Sequence, residues 1–154
     1  MDSVIIKMGE VKVTKDTTLV TFGVGSCVVI ILFDREAHIG GMAHTMLTTD
    51  KATHTQMATN PLRYVELAIP ELIKEMVNAG ASKRHLVAYL TGGAQMFTLY
   101  RDPSNTIGPS NVDVAQRVLS EAGIPIFDED VGGKRGRNVR FDCATGEWSA
   151  NTNG

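Results

Sequence analysis

A single cysteine stands directly behind a glycine-rich turn: Thr21-Phe22-Gly23-Val24-Gly25-Ser26-Cys27 runs straight into the apolar segment Val28-Val29-Ile30-Ile31-Leu32-Phe33. A turn built around Gly25 and Ser26 can aim backbone N–H groups at a developing negative charge, and a thiol beside it can attack a carbonyl carbon. A nearby histidine would make that thiol a nucleophile by drawing the pair toward thiolate and imidazolium, and His44 is the candidate. A third group has to orient the imidazole. Thr21 is placed for this, because its hydroxyl could accept an N–H from the far side of the ring. The same residues have plainer readings. Cys27 suits a tight turn as a small buried hydrophobe, His44 suits an edge strand, and Thr21 is an ordinary strand threonine.

What would bring thiol and imidazole together is a hairpin. Residues 28–33 are continuously apolar and rich in β-branched side chains, which favours a buried strand. Asp34-Arg35-Glu36-Ala37 reads as the loop, and Ile39-Gly40-Gly41-Met42-Ala43-His44 as the returning strand. With those four loop residues unpaired, Phe33 opposes His38, Val28 opposes Ala43 and Cys27 opposes His44. Residues directly opposite share a face with Cβ atoms about 4.5–5.5 Å apart. A slip of one residue would send them to opposite faces.

Composition removes several other chemistries. The chain has 154 residues, 43% hydrophobic and 21% charged, with net charge −2, the profile of one soluble domain without a basic field for nucleic acid. We expect one domain over residues 1–150 and a mobile tail at 151–154. No apolar run is long enough to cross a bilayer, and the N-terminus lacks signal-peptide character, so the expected location is cytoplasmic and not membrane-inserted. Two cysteines, Cys27 and Cys143, suggest free thiols, and four histidines without HExxH or HxxxH spacing argue against a metal. Gly23-Val24-Gly25-Ser26-Cys27-Val28 fails as a dinucleotide fingerprint, since Val28 occupies the third glycine position and a strand comes next. No cofactor is expected.

Turn residues and apolar periodicity divide the rest of the chain. Val4-Ile5-Ile6, Val11-Lys12-Val13 and Leu19-Val20-Thr21-Phe22 are strands, the last ending where Gly23 and Gly25 break the pattern. Residues 48–60 form a polar loop. Asn60 then caps a helix over residues 61–79 that buries Leu62, Val65, Ile69, Leu72, Ile73, Met76 and Val77, is kinked or divided at Pro70, and stops at Gly80. Residues 86–90 are a strand leading to Gly92-Gly93. Ser110 caps a second helix over residues 111–122 that buries Val114, Val118 and Leu119 and ends at Gly123. Residues 124–127 are a strand, Lys134, Arg135, Arg137 and Arg140 form a solvated basic cluster open to an acidic partner, and residues 139–148 form a last hairpin. Hairpin-connected strands outnumber helices, which points to α+β. Gly92-Gly93 and Gly132-Gly133 are most simply turns, and Cys143 has no histidine partner.

Taken together, Thr21-Phe22-Gly23-Val24-Gly25-Ser26-Cys27-Val28, Gly41-Met42-Ala43-His44, Gly92-Gly93-Ala94-Gln95-Met96-Phe97, Ile107-Gly108-Pro109-Ser110-Asn111 and Glu129-Asp130-Val131-Gly132-Gly133 with Gly136-Arg137 resemble the CheD family of chemoreceptor glutamine deamidases. The resemblance implies a two-sheet, β-sandwich-like α+β core with helices packed outside, similar to cytotoxic-necrotising-factor-like cysteine hydrolases. It implies hydrolysis of selected glutamine side-chain amides on methyl-accepting chemotaxis receptors, without a cofactor. Cys27 then matches the nucleophile, His44 the general base and Thr21 the residue orienting it. Some relatives are also credited with hydrolysing receptor methyl esters, and family members often bind CheC, a phosphatase of the response regulator CheY. Phe97, with Gly92 and Gly93, would be a substrate or partner contact. A regulatory module controlling such a phosphatase, or a hydrolase of another amide, are the competing readings. Leu47 is followed by Thr48-Thr49-Asp50 where the family often has proline, so the loop beyond it is expected to take its own path.

Overall fold

Nearly every apolar run of the sequence becomes a strand. The computed structural model describes residues 3–95 and 107–152. In chain order they form β1 (Ser3–Ile5), β2 (Val11–Lys15), β3 (Thr18–Val24), β4 (Val28–Asp34), β5 (Ile39–Thr45), α1 (His54–Thr59), α2 (Val65–Asn78), β6 (Leu86–Gly92), α3 (Ile107–Glu121), β7 (Ile126–Val131), β8 (Arg137–Asp142) and β9 (Trp148–Thr152). The strands make two mixed sheets, a four-stranded one ordered β1-β3-β8-β9 and a five-stranded one ordered β2-β5-β4-β6-β7. The fold is α+β.

β4 is the axis of the packing. All seven of its residues are buried. Val28, Ile30 and Leu32 pack with Val65, Ile69 and Leu72 of α2 and Val112, Ala115 and Leu119 of α3. Val29, Ile31 and Phe33 face the other way, onto Leu19, Val139 and Phe141 of the four-stranded sheet. With both faces covered, the strand reads as an unbroken apolar run. Tyr89 completes that second core, its ring centroid 4.9 Å from Phe141 and 5.5 Å from Trp148.

The hairpin forms, but in a different register. Phe33 pairs with Gly40, Val29 with His44 and Val28 with Thr45. The four-residue loop is Arg35, Glu36, Ala37 and His38, one residue later than expected. Asp34 stays in β4 because its carboxylate is buried and accepts from the backbone N–H groups of Glu36, Ala37 and Ser82, while His38 adopts a left-handed φ of 57°. Moving the loop by one shifts every pair by two. A two-residue shift preserves the face, so His44 still points between the sheets, as Met42 does.

Other boundaries also move. Residues 48–60 contain α1, started by a capping box between Thr53 and Gln56. Asn60 ends α1, and its side chain caps no later helix. The expected single helix from residue 61 is a 3₁₀ turn, Pro61–Arg63, and then α2. The division falls at Tyr64, because Pro70 sits on the exposed side of α2 and removes one backbone hydrogen bond without ending it. Ala68 is buried while Val77 is 45% exposed. α2 and α3 stop as expected, with Gly80 and Gly123 at positive φ and paired bonds closing each end (Ala81 N–H to Met76 O, Ile124 N–H to Leu119 O). α3 starts at Ile107, so Ser110 lies inside it and does not cap it. β3 runs on through Gly23 to Val24 with a bulge after Thr21, and β7 extends to Val131. Asn151 and Thr152, expected in the tail, pair with Asn138 and Arg137 in β9. Among the described residues, no helix is long and apolar enough to cross a membrane.

Candidate active site

β3 belongs to one sheet and β4 to the other, so Gly25, Ser26 and Cys27 form the crossing between them. A crossing of three residues leaves its backbone polar groups without a ladder, and those groups must find other partners. The carbonyls all do. Gly25 O accepts from Ala94 N–H at 3.0 Å and Cys27 O from Gly93 N–H at 2.8 Å, while Ser26 O accepts from Asn111 Nδ2 at 2.9 Å. Upstream, Gly23 N–H donates to Asn138 Oδ1 at 3.1 Å. By contrast, neither the Ser26 nor the Cys27 N–H donates to the backbone of another described residue, and the Cys27 N–H turns toward its own thiol. The crossing is held by its oxygens, with its amide hydrogens left over.

Gly92 and Gly93 are more than a turn at a strand end. A Cβ on Gly92 would lie 2.2 Å from Cys27 O and one on Gly93 2.2 Å from Val112 Cγ2, and both have positive φ, 104° and 67°. Only glycine lets this strand end press against the crossing. Behind it stands Arg137, which donates to Gly92 O at 3.2 Å and to Gly132 O at 2.9 Å and pairs with Asp130 Oδ1 at 3.2 Å. Arg137 is 4% exposed. Read from sequence as part of a solvated cluster, it is instead an internal brace.

His44 emerges from β5 into the inter-sheet space, 4% exposed. Thr21, on β3 of the facing sheet, puts Oγ1 2.8 Å from His44 Nδ1, and the same oxygen lies 2.6 Å from Ile6 O. A carbonyl can only accept, so the single hydroxyl proton goes to Ile6 O. The hydroxyl then accepts from Nδ1–H, which leaves Nε2 as the bare, basic nitrogen. Cys27, half-buried, packs on the edge of the same inter-sheet core, with Sγ 3.9 Å from Met8 Sδ. The Ile6-to-Glu10 segment is therefore part of the site, and it is stitched to His44 by Gly9 N–H to His44 O at 2.8 Å and His44 N–H to Glu10 O at 3.2 Å.

Burial pushes the Cys27 thiol above its usual value and the His44 imidazole below its own. Both directions favour the neutral forms, thiol and imidazole, over the thiolate and imidazolium. Cys143 is a different case, fully buried against Gly40 and pushed up to about 12 by burial first and the nearby Asp142 and Asp16 next. It is inert packing. His38 pairs with Asp16, His85 with Glu36, and His54 starts α1. Phe97 lies outside the described residues.

Three participants escape the sequence reading. Ile6 and Met8 act through a carbonyl and a thioether in an unremarkable turn, and no residue pattern marks such roles. Asn111 is completely buried, and its Nδ2 donates to both Ser26 O and Met46 O at 2.9 Å. A polar residue on the helix face that also carries Val112, Ala115 and Leu119 is the signal that could have found it.

A cavity of about 270 Å³ opens beside this region, lined by Met46, Leu47, Lys51, Gln56, Arg63 and Tyr64 among others. Met46 comes directly after Thr45, the last residue of β5 and the partner of Val28, so one wall of the cavity lies at the end of β5.

Comparison with known proteins places the chain in a family. Residues 46–152 match the family model described as CheD chemotactic sensory transduction. A Pyrococcus horikoshii protein named probable chemoreceptor glutamine deamidase CheD is 41% identical over 148 residues, covering 96% of this chain and 90% of the relative. The corresponding Thermococcus kodakarensis protein is 41% identical over 143 residues, 92% of this chain and 88% of its own length. Geobacter metallireducens has a probable chemoreceptor glutamine deamidase CheD 2 that is 42% identical over 148 residues, 94% and 91% of the two chains. The chain belongs to the CheD family.

Proposed function

We propose that this chain is a chemoreceptor glutamine deamidase, converting glutamine side chains on a receptor's cytoplasmic region to glutamate with release of ammonia. The observation that carries the mechanism is the Thr21–His44 hydrogen bond, with Thr21's only proton committed to Ile6 O. It leaves a basic Nε2 on the inter-sheet side of β5, and Cys27 packs against the edge of that same inter-sheet core.

In this reading His44 Nε2 takes the thiol proton as Sγ attacks the amide carbon. The tetrahedral oxyanion is met by the N–H groups of Ser26 and Cys27, neither of which donates to the backbone of another described residue. Imidazolium then gives its proton to the departing nitrogen, so the C–N bond breaks with loss of NH₃ and a thioester remains. His44 next takes a proton from water, hydroxide adds to the thioester, and C–S cleavage returns the thiol and releases the glutamate carboxylate. Receptor methyl esters fit the same sequence, with methanol leaving. Because the receptor segment is the substrate, the protein works in the cytoplasm. Association with a CheC-type phosphatase is a separate expectation that rests on family resemblance.

The test incubates the protein with a chemoreceptor cytoplasmic domain and maps glutamine-to-glutamate conversion by mass spectrometry, with Cys27→Ala and His44→Ala as controls. Conversion is expected from wild type and lost in both variants. Conversion undiminished in Cys27→Ala would sink the nucleophile assignment, and phosphatase binding without conversion by wild type would favour a regulatory binding module.

A further inference from the structure

Asn111 sits in the first turns of α3, wholly buried, with Nδ2 shared between Ser26 O and Met46 O and Oδ1 without a partner among the described residues. The orientation of its amide is forced, because the flipped form would set an oxygen against two carbonyl oxygens. A buried side chain left with an unpaired acceptor is a poor choice for packing alone. What the donated hydrogens achieve explains its presence.

The peptide unit is planar and trans, so the Ser26 carbonyl and the Cys27 N–H lie in one plane and point opposite ways. Whatever fixes Ser26 O therefore fixes the direction of the Cys27 N–H. We infer that Asn111 is a positioning residue for transition-state stabilisation: by holding Ser26 O it aims the Cys27 N–H at the oxyanion. Its second bond, to Met46 O, ties that same peptide to the chain two residues beyond His44, so one amide sets the donor, the thiol and the base strand in a common frame. Ala94 N–H does the equivalent for the next donor, since it holds Gly25 O and thereby directs the Ser26 N–H. The inference rests on Cys27 being the nucleophile.

The test uses the full chain and a chemoreceptor cytoplasmic domain, with Asn111→Leu and Asn111→Asp. Three quantities are measured: kcat and KM for deamidation, the rate at which iodoacetamide alkylates Cys27, and the melting transition. Alkylation is displacement at a saturated carbon and develops no oxyanion, so it reports the thiol alone. The expected result is kcat lower by about tenfold or more, with KM and alkylation rate close to wild type. In Asn111→Asp a protonated carboxyl can still donate one hydrogen and an ionised one none, so the ratio of its kcat to that of wild type falls as pH rises. A wild-type kcat in folded Asn111→Leu, or in folded Asn111→Asp at every pH, would overturn the inference. So would an equal loss of alkylation and deamidation, or failure of both variants to fold, either of which would make Asn111 a purely structural residue. Deamidation surviving in Cys27→Ala would instead overturn the nucleophile assignment beneath it.

Discussion

Thr21→Val removes one hydroxyl and keeps the shape of the side chain. In the wild type that oxygen satisfies two groups, Ile6 O at 2.6 Å and His44 Nδ1–H at 2.8 Å, between side chains that are 1% and 4% exposed. Valine leaves both without a partner. Each stranded group costs roughly 1–3 kcal/mol, so stability falls by roughly 2–6 kcal/mol. That is tolerable against a total of roughly 5–15 kcal/mol, and it corresponds to a drop in melting temperature on the order of 10 °C for a chain of this size. The catalytic loss is separate. Without an acceptor at Nδ1 the imidazole is free to carry its proton on Nε2, the wrong nitrogen for accepting from a thiol. Losing a tautomer preference of roughly 1–2 kcal/mol lowers kcat about 5- to 30-fold. The loss is far smaller than the roughly 10⁴ seen when a serine protease loses its buried aspartate, because a threonine hydroxyl orients the ring without offering it a negative charge. KM should stay near wild type, since Thr21 is not a substrate contact. Thr21→Ser, which keeps the oxygen, should recover most of the rate. The assay is receptor deamidation followed by mass spectrometry, with nitrogen-15 NMR of His44 reporting the tautomer. A folded Thr21→Val with lowered stability but wild-type kcat would refute the orienting role and leave Thr21 as a tie between the sheets.

The same geometry fixes the response to pH and to two further substitutions of the site and its frame. Because burial raises the Cys27 thiol, its iodoacetamide alkylation should keep accelerating beyond the usual thiol range as pH rises; a rate already level at neutral pH would reveal the ion pair that burial disfavours. Because burial lowers His44, the imidazole stays neutral to lower pH than usual. The acid limb of kcat should therefore fall below a midpoint of about 6.5, and a limb well above it would contradict His44 as the titrating base. Gly92→Ala must place a methyl 2.2 Å from Cys27 O at a φ of 104°, so it should lower both melting temperature and kcat; a variant that melts and turns over like wild type would show that the clamp on the crossing is dispensable. Asp34→Asn should destabilise by roughly 1–3 kcal/mol, since the amide NH₂ cannot accept at every position where the carboxylate does now. Burial alone would raise the Asp34 carboxyl, but donations from Ser82, Ala37 and Glu36 outweigh it and leave it lowered. The stability it contributes is thus present above about pH 4 and lost as pH falls through its lower folded value. The gap between variant and wild type in chemical denaturation should narrow there, and a gap that is constant with pH would count against it.

The strands and both major helices can be read from the sequence because their signals are local. β4 is an apolar β-branched run, α2 repeats its buried residues every three or four positions, and Gly80 and Gly123 mark helix ends. The differences have a common cause too. The hairpin loop reads one residue early because nothing in Asp34 itself says that its carboxylate will be pulled inward by Ser82, a residue 48 positions away. Arg137 looks like one of four basic surface residues until the fold brings Gly92 and Gly132 to it. Asn111 looks like a helix start until α3 docks on the crossing. The Thr21–His44 contact joins residues in separate sheets, so no pairing rule within a sheet yields it, and Thr21 is a candidate from sequence through the chemical need for a third group and through the family resemblance.

The site is also a device for joining the sheets. His44 belongs to the five-stranded side, Thr21 to the four-stranded side, Cys27 to the crossing between them, and the carbonyl that takes the Thr21 proton is that of Ile6, just past β1. Separating the sheets even slightly would break the 2.8 Å Thr21–His44 contact while leaving the β4–β5 hairpin paired. The local and the global parts of the site should therefore fail in a fixed order under mild denaturant. Deamidation is lost first, when the ring loses its orientation, and Cys27 becomes fast-alkylating only later, as its burial is relieved. If alkylation accelerated before activity fell, the thiol would be freed without the sheets parting, and the facing sheet would have no part in holding the base.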